Sequence, residues 1–168
     1  MRFFNRWSIC FLWSLFVIGC GAKGPRPDGF PALVPVTVTV NQEGQPLADA
    51  QVSLVPSDGA KNWFSGGTTD SGGNVTVTTY GAHSGAPVGK YKVVVSKEVH
   101  EGLEEYQAAM AREDEAAARR IDVKVFACVE APYREAATTP LEIEVVKGTK
   151  NYSVDVGKIV KEPMEFLK

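Results

Sequence analysis

Apolar and polar residues alternate with a period of two along most of the chain from residue 34 onward. In PVTVTV, Val36, Val38 and Val40 share one face and Thr37 and Thr39 the other, as in a half-buried strand. AQVSLV repeats this, with Ala50, Val52 and Leu54 against Gln51 and Ser53. NVTVTTY alternates through Val75 and Val77, and GKYKVVVSK through Tyr91, Val93 and Val95. PLEIEVV sets Leu141, Ile143 and Val145 against Glu142 and Glu144, and YSVDVGK aligns Tyr152, Val154 and Val156. A weaker strand over NWFSGGTT makes seven. Gly, Pro, Asn and Asp separate these runs. In DSGG, Asp70 is placed to accept hydrogen bonds from the amides just after it. Short strands with one wet face predict a mainly β, antiparallel sandwich rather than an α/β sheet.

One stretch breaks the period. EGLEEYQAAMAREDEAAARR is built from strong helix formers, and Glu115 and Arg119 form an (i, i+4) pair in the favoured order. Leu103, Tyr106, Met110 and Ala117 lie near one thin apolar stripe. The expectation is one helix of four or five turns inserted at about 102–120, on the outside of the sandwich. Its functional alternative is a partner-binding helix. His100 falls at the start of this helix and His83 in a loop. Residues 121–137 are ambiguous: VKVFACV alternates like a strand, while Pro132 and its neighbours favour an ordered loop.

The N-terminus follows neither pattern. Met1–Arg6 carries Arg2 and Arg6, and Trp7–Ile18 is apolar apart from Ser8 and Ser14. This run is too short to span a bilayer as a helix, which takes about 20 residues. A basic start, a short apolar run and a small residue at its boundary predict an export signal over 1–19. Val17-Ile18-Gly19-Cys20 resembles the bacterial lipobox, which implies cleavage before Cys20 and a lipid on its thiol. The alternative is an ordinary signal with a chance cysteine. GAKGPRPDGFPAL, rich in Gly and Pro, reads as a flexible tether, so that residues 20–33 are lipidated cysteine and leash. Fully extended, it reaches about 45 Å. The sandwich then spans 34–160 and a short tail 161–168.

The totals add few constraints. A chain of 168 residues, 44% hydrophobic and 23% charged, suits one domain with a core of its own. The net charge of −2 becomes −4 once Arg2 and Arg6 leave with residues 1–19, which gives no electrostatic footprint for nucleic acid. Of three cysteines, Cys10 leaves with the signal and Cys20 carries lipid, so Cys128 has no disulfide partner. Lying in VKVFACVEAP, it reads as a buried inert thiol. His83 and His100 lack a second ligand at zinc spacing. Asp49, Asp58 and Asp70 are calcium candidates if they meet at one end, although turn carboxylates usually bind their own backbone. No metal, cofactor or catalytic set is expected.

The run from Val36 to Lys97 resembles the carboxypeptidase-regulatory-like and transthyretin-like β-sandwiches. The resemblance rests on Gly44, Pro46, Leu47, Ala50 and Val52; on Thr69, Asp70 and Gly73; and on Gly89, Tyr91 and Val93. It extends to a group of bacterial surface lipoproteins through the lipobox, the GAPVGKY stretch, and Pro132, Tyr133, Thr139, Pro140 and Leu141. The resemblance implies an immunoglobulin-like or transthyretin-like sandwich of about seven strands, exported and held in the cell envelope by a lipid on Cys20. It implies no chemistry. The transthyretin-like hydrolase of 5-hydroxyisourate uses histidines, an arginine and a C-terminal Tyr-Arg-Gly-Ser, whereas this chain ends KEPMEFLK and its Tyr133-Arg134 runs on into Glu135 and Ala136. The chain is expected not to be an enzyme. Its partners are expected to be the membrane, and a glycan, peptide or envelope protein. The candidate ligand-binding residues are Trp63, Phe64 and Tyr80, beside a Gly-rich segment. Their alternative role is to fill the core or close the sandwich edge.

Overall fold

The computed structural model describes residues 26–164. Residues 1–25, including the export signal and Cys20, and residues 165–168 lie outside the described part. The strands in chain order begin with β1 (Leu33–Val34), β2 (Thr37–Gln42), β3 (Gln45–Pro46), β4 (Gln51–Pro56) and β5 (Ser65–Thr68). Next come β6 (Asn74–Thr76), β7 (Thr78–Thr79), β8 (His83–Ser84), β9 (Ala86–Pro87), β10 (Gly89–Ser96) and β11 (Glu98–Glu101). Helices α1 (Leu103–Ala111) and α2 (Glu115–Ala118) follow, then β12 (Lys124–Ala127), a 3₁₀ turn at Ala131–Arg134, β13 (Glu142–Val145), β14 (Asn151–Asp155) and β15 (Glu162–Pro163).

These strands form a mainly β sandwich. One sheet runs β13-β10-β4-β5-β7-β8, antiparallel throughout. The other centres on β2, flanked by β14 on one side and by β3 and β6 on the other. The period-two pattern is obeyed to the residue. Val38, Val40, Val52, Leu54, Val93 and Val95 are buried in one core cluster, with Val75, Val145 and Val156 from flanking segments. Each buried Val or Leu side chain contributes about 1.5–3 kcal/mol relative to exposure.

Polar side chains join the elements where the core is thin. The buried Thr69 hydroxyl donates to the Leu47 carbonyl at 2.6 Å and accepts from the Ala50 amide at 2.8 Å. Asp70 accepts from the amides of Gly72 and Asn74, both at 2.9 Å, as its turn predicts. Gly73, at φ 74°, sits so close to β2 that a Cβ would come within 2.6 Å of the Val40 carbonyl. Buried Gln42 donates to the carbonyls of Cys128 and Lys158 and ties the long C-terminal segment to β2. The Lys92 ammonium, hydrogen-bonded at 2.7 Å, draws the exposed Glu142 carboxyl below its usual range.

Several expectations change. β14 pairs with β2 in parallel, so the sandwich is not wholly antiparallel. The turn after β13 carries the chain across to the other sheet instead of folding it back as a hairpin. The Tyr152 hydroxyl, donating to the Glu144 carbonyl at 2.9 Å, holds that crossing. The strand expected over NWFSGGTT covers only Ser65–Thr68. VKVFACV does form a strand, β12, and the Pro132 region forms the 3₁₀ turn. β11, β12 and β15 make a separate small sheet, so Glu162–Pro163 is paired structure and not tail. His100 lies on β11 opposite Val125, two residues before Gly102, which is the N-cap of α1.

The single long helix is two. The chain turns at Glu113, which has φ 58°, and Asp114 then caps α2 by accepting from the Ala117 amide at 3.0 Å. Asp favours a cap over a helix interior, which explains the break. α1 packs on α2, and the buried residues are Ala109 and Ala118; Tyr106 and Met110 of the expected stripe are exposed. Small side chains occupy the interior because two helices meet there closely. The Glu115–Arg119 pair forms at 3.0 Å.

Two predictions follow from this architecture. Glu101 pairs with Lys124 across the base of the helical insert. Replacing residues 102–123 by Asn-Gly should therefore close a two-residue hairpin and change stability by only about 1 kcal/mol. Urea unfolding that loses its cooperativity would show instead that the helices belong to the core. The second prediction concerns Tyr91, whose hydroxyl donates to the Pro87 carbonyl at 2.9 Å. Burial first, and the Asp58 charge second, push its pKa up to about 12. An unfolded tyrosine ionises near pH 10, so this contribution is complete below about pH 10 and is lost as pH rises towards 12. Urea midpoints of wild type should fall more steeply across that window than those of Tyr91→Phe; parallel curves would refute the assignment.

Candidate functional site

The aromatic residues singled out in the sequence do come together, at the edge of the larger sheet where β5, β7 and β8 pair. Trp63 and Tyr80 meet edge-on, with ring centroids 5.9 Å apart at 71°, and Phe64 meets Tyr80 at 6.0 Å and 63°. Trp63 is half-buried, whereas Phe64 is 68% exposed and Tyr80 44% exposed. The cluster is neither core filling nor a flat platform. It is an open group of rings set at angles to one another.

Local backbone explains why these rings face outward. Phe64 and Tyr80 both sit in the left-handed region, at φ 49° and 53°. That conformation costs a non-glycine residue about 1–2 kcal/mol. It is held in place by neighbours: the Tyr80 amide donates to the Phe64 carbonyl at 3.2 Å, and the Phe64 amide donates to the Asn62 side chain at 2.8 Å. Tyr80 opens the three-residue loop between the paired residues Thr79 and His83.

Two further residues belong to the cluster. Phe30, assigned from sequence to the flexible tether, packs on Trp63 at 5.5 Å, on His83 at 4.8 Å and on Tyr80 at 6.2 Å. PRPDGF held the signal: Pro-Asp-Gly is a turn sequence, and the Phe30 amide closes that turn on the Pro27 carbonyl at 3.1 Å. Just after it, Leu33–Val34 pairs with Ala86–Pro87. The leash is therefore docked from Phe30 onward. His83 is not a loop residue either. It is 3% exposed on β8, and its Nδ1 has no hydrogen-bond partner among the described residues. Two cations complete the group, with Lys61 Nζ 4.0 Å above the Trp63 ring and Arg26 Cζ 5.6 Å from the centre of Phe30.

Beside Phe64 an open groove of about 410 Å³ runs over the outer face of β4 and β5, lined by Gln51, Ser53, Asn62, Gly66 and Thr78. Gly66 cannot carry a side chain there, because a Cβ would fall 2.2 Å from the Val52 carbonyl of β4. Amide and hydroxyl groups next to one aromatic ring can bind polar ligands without a metal.

The remaining candidates do not assemble. Among the described residues no three His, Cys, Asp or Glu side chains converge on a metal position. Asp58 and Asp70 each bind the amide of their own turn. Cys128 is half-buried, not fully buried, on the wall of an apolar groove with Leu47, Val99 and Ile159. Among the described residues no helix is long and apolar enough to cross a membrane. No protein-family model matches the chain, and no curated protein matches it. The site and the fold thus define a class only: a β-sandwich with an exposed aromatic edge.

Proposed function

We propose that this chain is a non-enzymatic β-sandwich lipoprotein of a bacterial cell envelope, exported by residues 1–19, anchored through a lipid on Cys20, and serving as a structural or binding module. The observation that supports this reading is how soon after Cys20 in the sequence the packed body begins. Phe30, ten residues after Cys20, already packs on Trp63, and Leu33–Val34 pairs with Ala86–Pro87. A short leash on a closed sandwich suits a module held at a surface. Two acyl chains on a diacylglyceryl group hold a protein stably, where one does not. Cells given a palmitate analogue should label the wild-type chain and leave Cys20→Ser unlabelled. Equal labelling of both, or none in the wild type, refutes the anchor.

A second reading, binding of a carbohydrate, is favoured by the groove beside Phe64. One face of a sugar ring can stack on an aromatic side chain while Gln51, Asn62 and Thr78 meet its hydroxyls. On a glycan array the wild-type chain should bind a defined set of sugars and Phe64→Ala should lose at least about tenfold in affinity, equivalent to about 1.4 kcal/mol. Binding indifferent to that substitution would remove the reading.

A further inference from the structure

We infer that the aromatic edge is a membrane-facing surface, seated in the headgroup region of the anionic phospholipid bilayer that holds the anchor. The inference rests on the reading of Cys20 as lipidated. Six peptide units separate Cys20 from Arg26, and six residues span at most about 20–22 Å. Arg26 lies against Phe30, and Phe30 lies in the cluster. A lipid on Cys20 would therefore keep Arg26, at this edge, within about 22 Å of the bilayer.

The chemistry of the edge fits that location. Trp and Tyr rings with nearby Lys and Arg are the composition that settles at a membrane–water boundary, where rings lie among headgroups and ammonium or guanidinium groups reach phosphate. Here the exposed rings are Phe64 and Tyr80, Trp63 lies half-buried behind them, and Lys61 and Arg26 each cover a ring. Asp28 in the turn and Asp58 in the loop before Trp63 balance these two charges. The chain after residue 19 carries a net charge of −4, as derived above, and would be repelled by an anionic bilayer. The aromatic edge, where Arg26 and Lys61 balance Asp28 and Asp58, is not repelled in this way and orients it. The angles between the rings also decide. At 63° and 71° they leave a sugar only the single ring of Phe64 to stack on, whereas insertion among headgroups uses every exposed ring on the rigid edge.

Loss of residues 1–19 removes Trp7 and Trp13 and leaves Trp63 as the single tryptophan, an intrinsic probe inside the edge. The lipidated chain, purified from membranes, would be placed in vesicles of phosphatidylglycerol and phosphatidylethanolamine with brominated or ordinary acyl chains. The expected result is loss of more than half of the Trp63 emission in brominated vesicles, with most of it restored in the double variant Lys61→Glu, Phe64→Glu. Both positions are exposed, and a urea midpoint checks that the variant folds. Equal emission in the two vesicle types from a palmitate-labelled chain overturns the inference and leaves the anchor standing. A chain without label overturns both. Emission that responds to a soluble oligosaccharide and not to bromine overturns it in favour of the sugar groove.

Discussion

Val38 and Val40 of one sheet share a single apolar cluster with Val52, Leu54, Val93 and Val95 of the other, and each is at most 1% exposed. The rest of the molecule depends on this burial. An isolated sheet with one wet face is unstable, so the two faces must close on each other. Once they do, every alternate position on β2, β4 and β10 is committed to the outside, and loops, insert and aromatic edge take the places left over. Side-chain alternation leaves no freedom to slip, because a shift of one residue would turn all these valines to water.

The aromatic edge is a consequence of how the larger sheet ends. β5, β7 and β8 are short, and the loop entering β5 and the turn between β7 and β8 place Phe64 and Tyr80 in left-handed backbone. Strain of this kind persists only where surrounding structure over-determines it. Here the restraint is the amide–carbonyl bond from Tyr80 to Phe64 and the cap from Asn62. Phe30 then covers His83 and joins the N-terminal segment to the edge. With the proposed lipid on Cys20, the same contact would shorten the leash and set which side of the sandwich faces the anchor.

The helical insert shows the opposite economy. It adds two helices between paired strand ends and buries little besides Ala109 and Ala118. Its stabilisation is local, through the Asp114 cap and one exposed ion pair, which contributes a few tenths of a kcal/mol. Nothing in the packing of β2, β4 and β10 calls on it.

Period-two alternation was enough to name the core: Val36, Val38, Val40, Val52, Leu54, Val93 and Val95 are buried as the pattern requires. Turn chemistry at Asp70 and Gly73 was equally legible, since it depends on the residue and its immediate neighbours. What the chain alone left open were relations between distant segments. Alternation reads the same in parallel and antiparallel strands, so the direction of β14 against β2 waited on the crossing held by Tyr152. Two helices and one helix have the same composition; the bend at Glu113 and the burial of Ala109 appear only when α1 meets α2. Trp63, Phe64 and Tyr80 could be picked out by type; the turn at Phe30 was legible in Pro-Asp-Gly, but the place of Phe30 and His83 in the cluster was not. A lone phenylalanine between Gly and Pro and a lone histidine gain meaning from what lies across from them, and tertiary structure decides that distance.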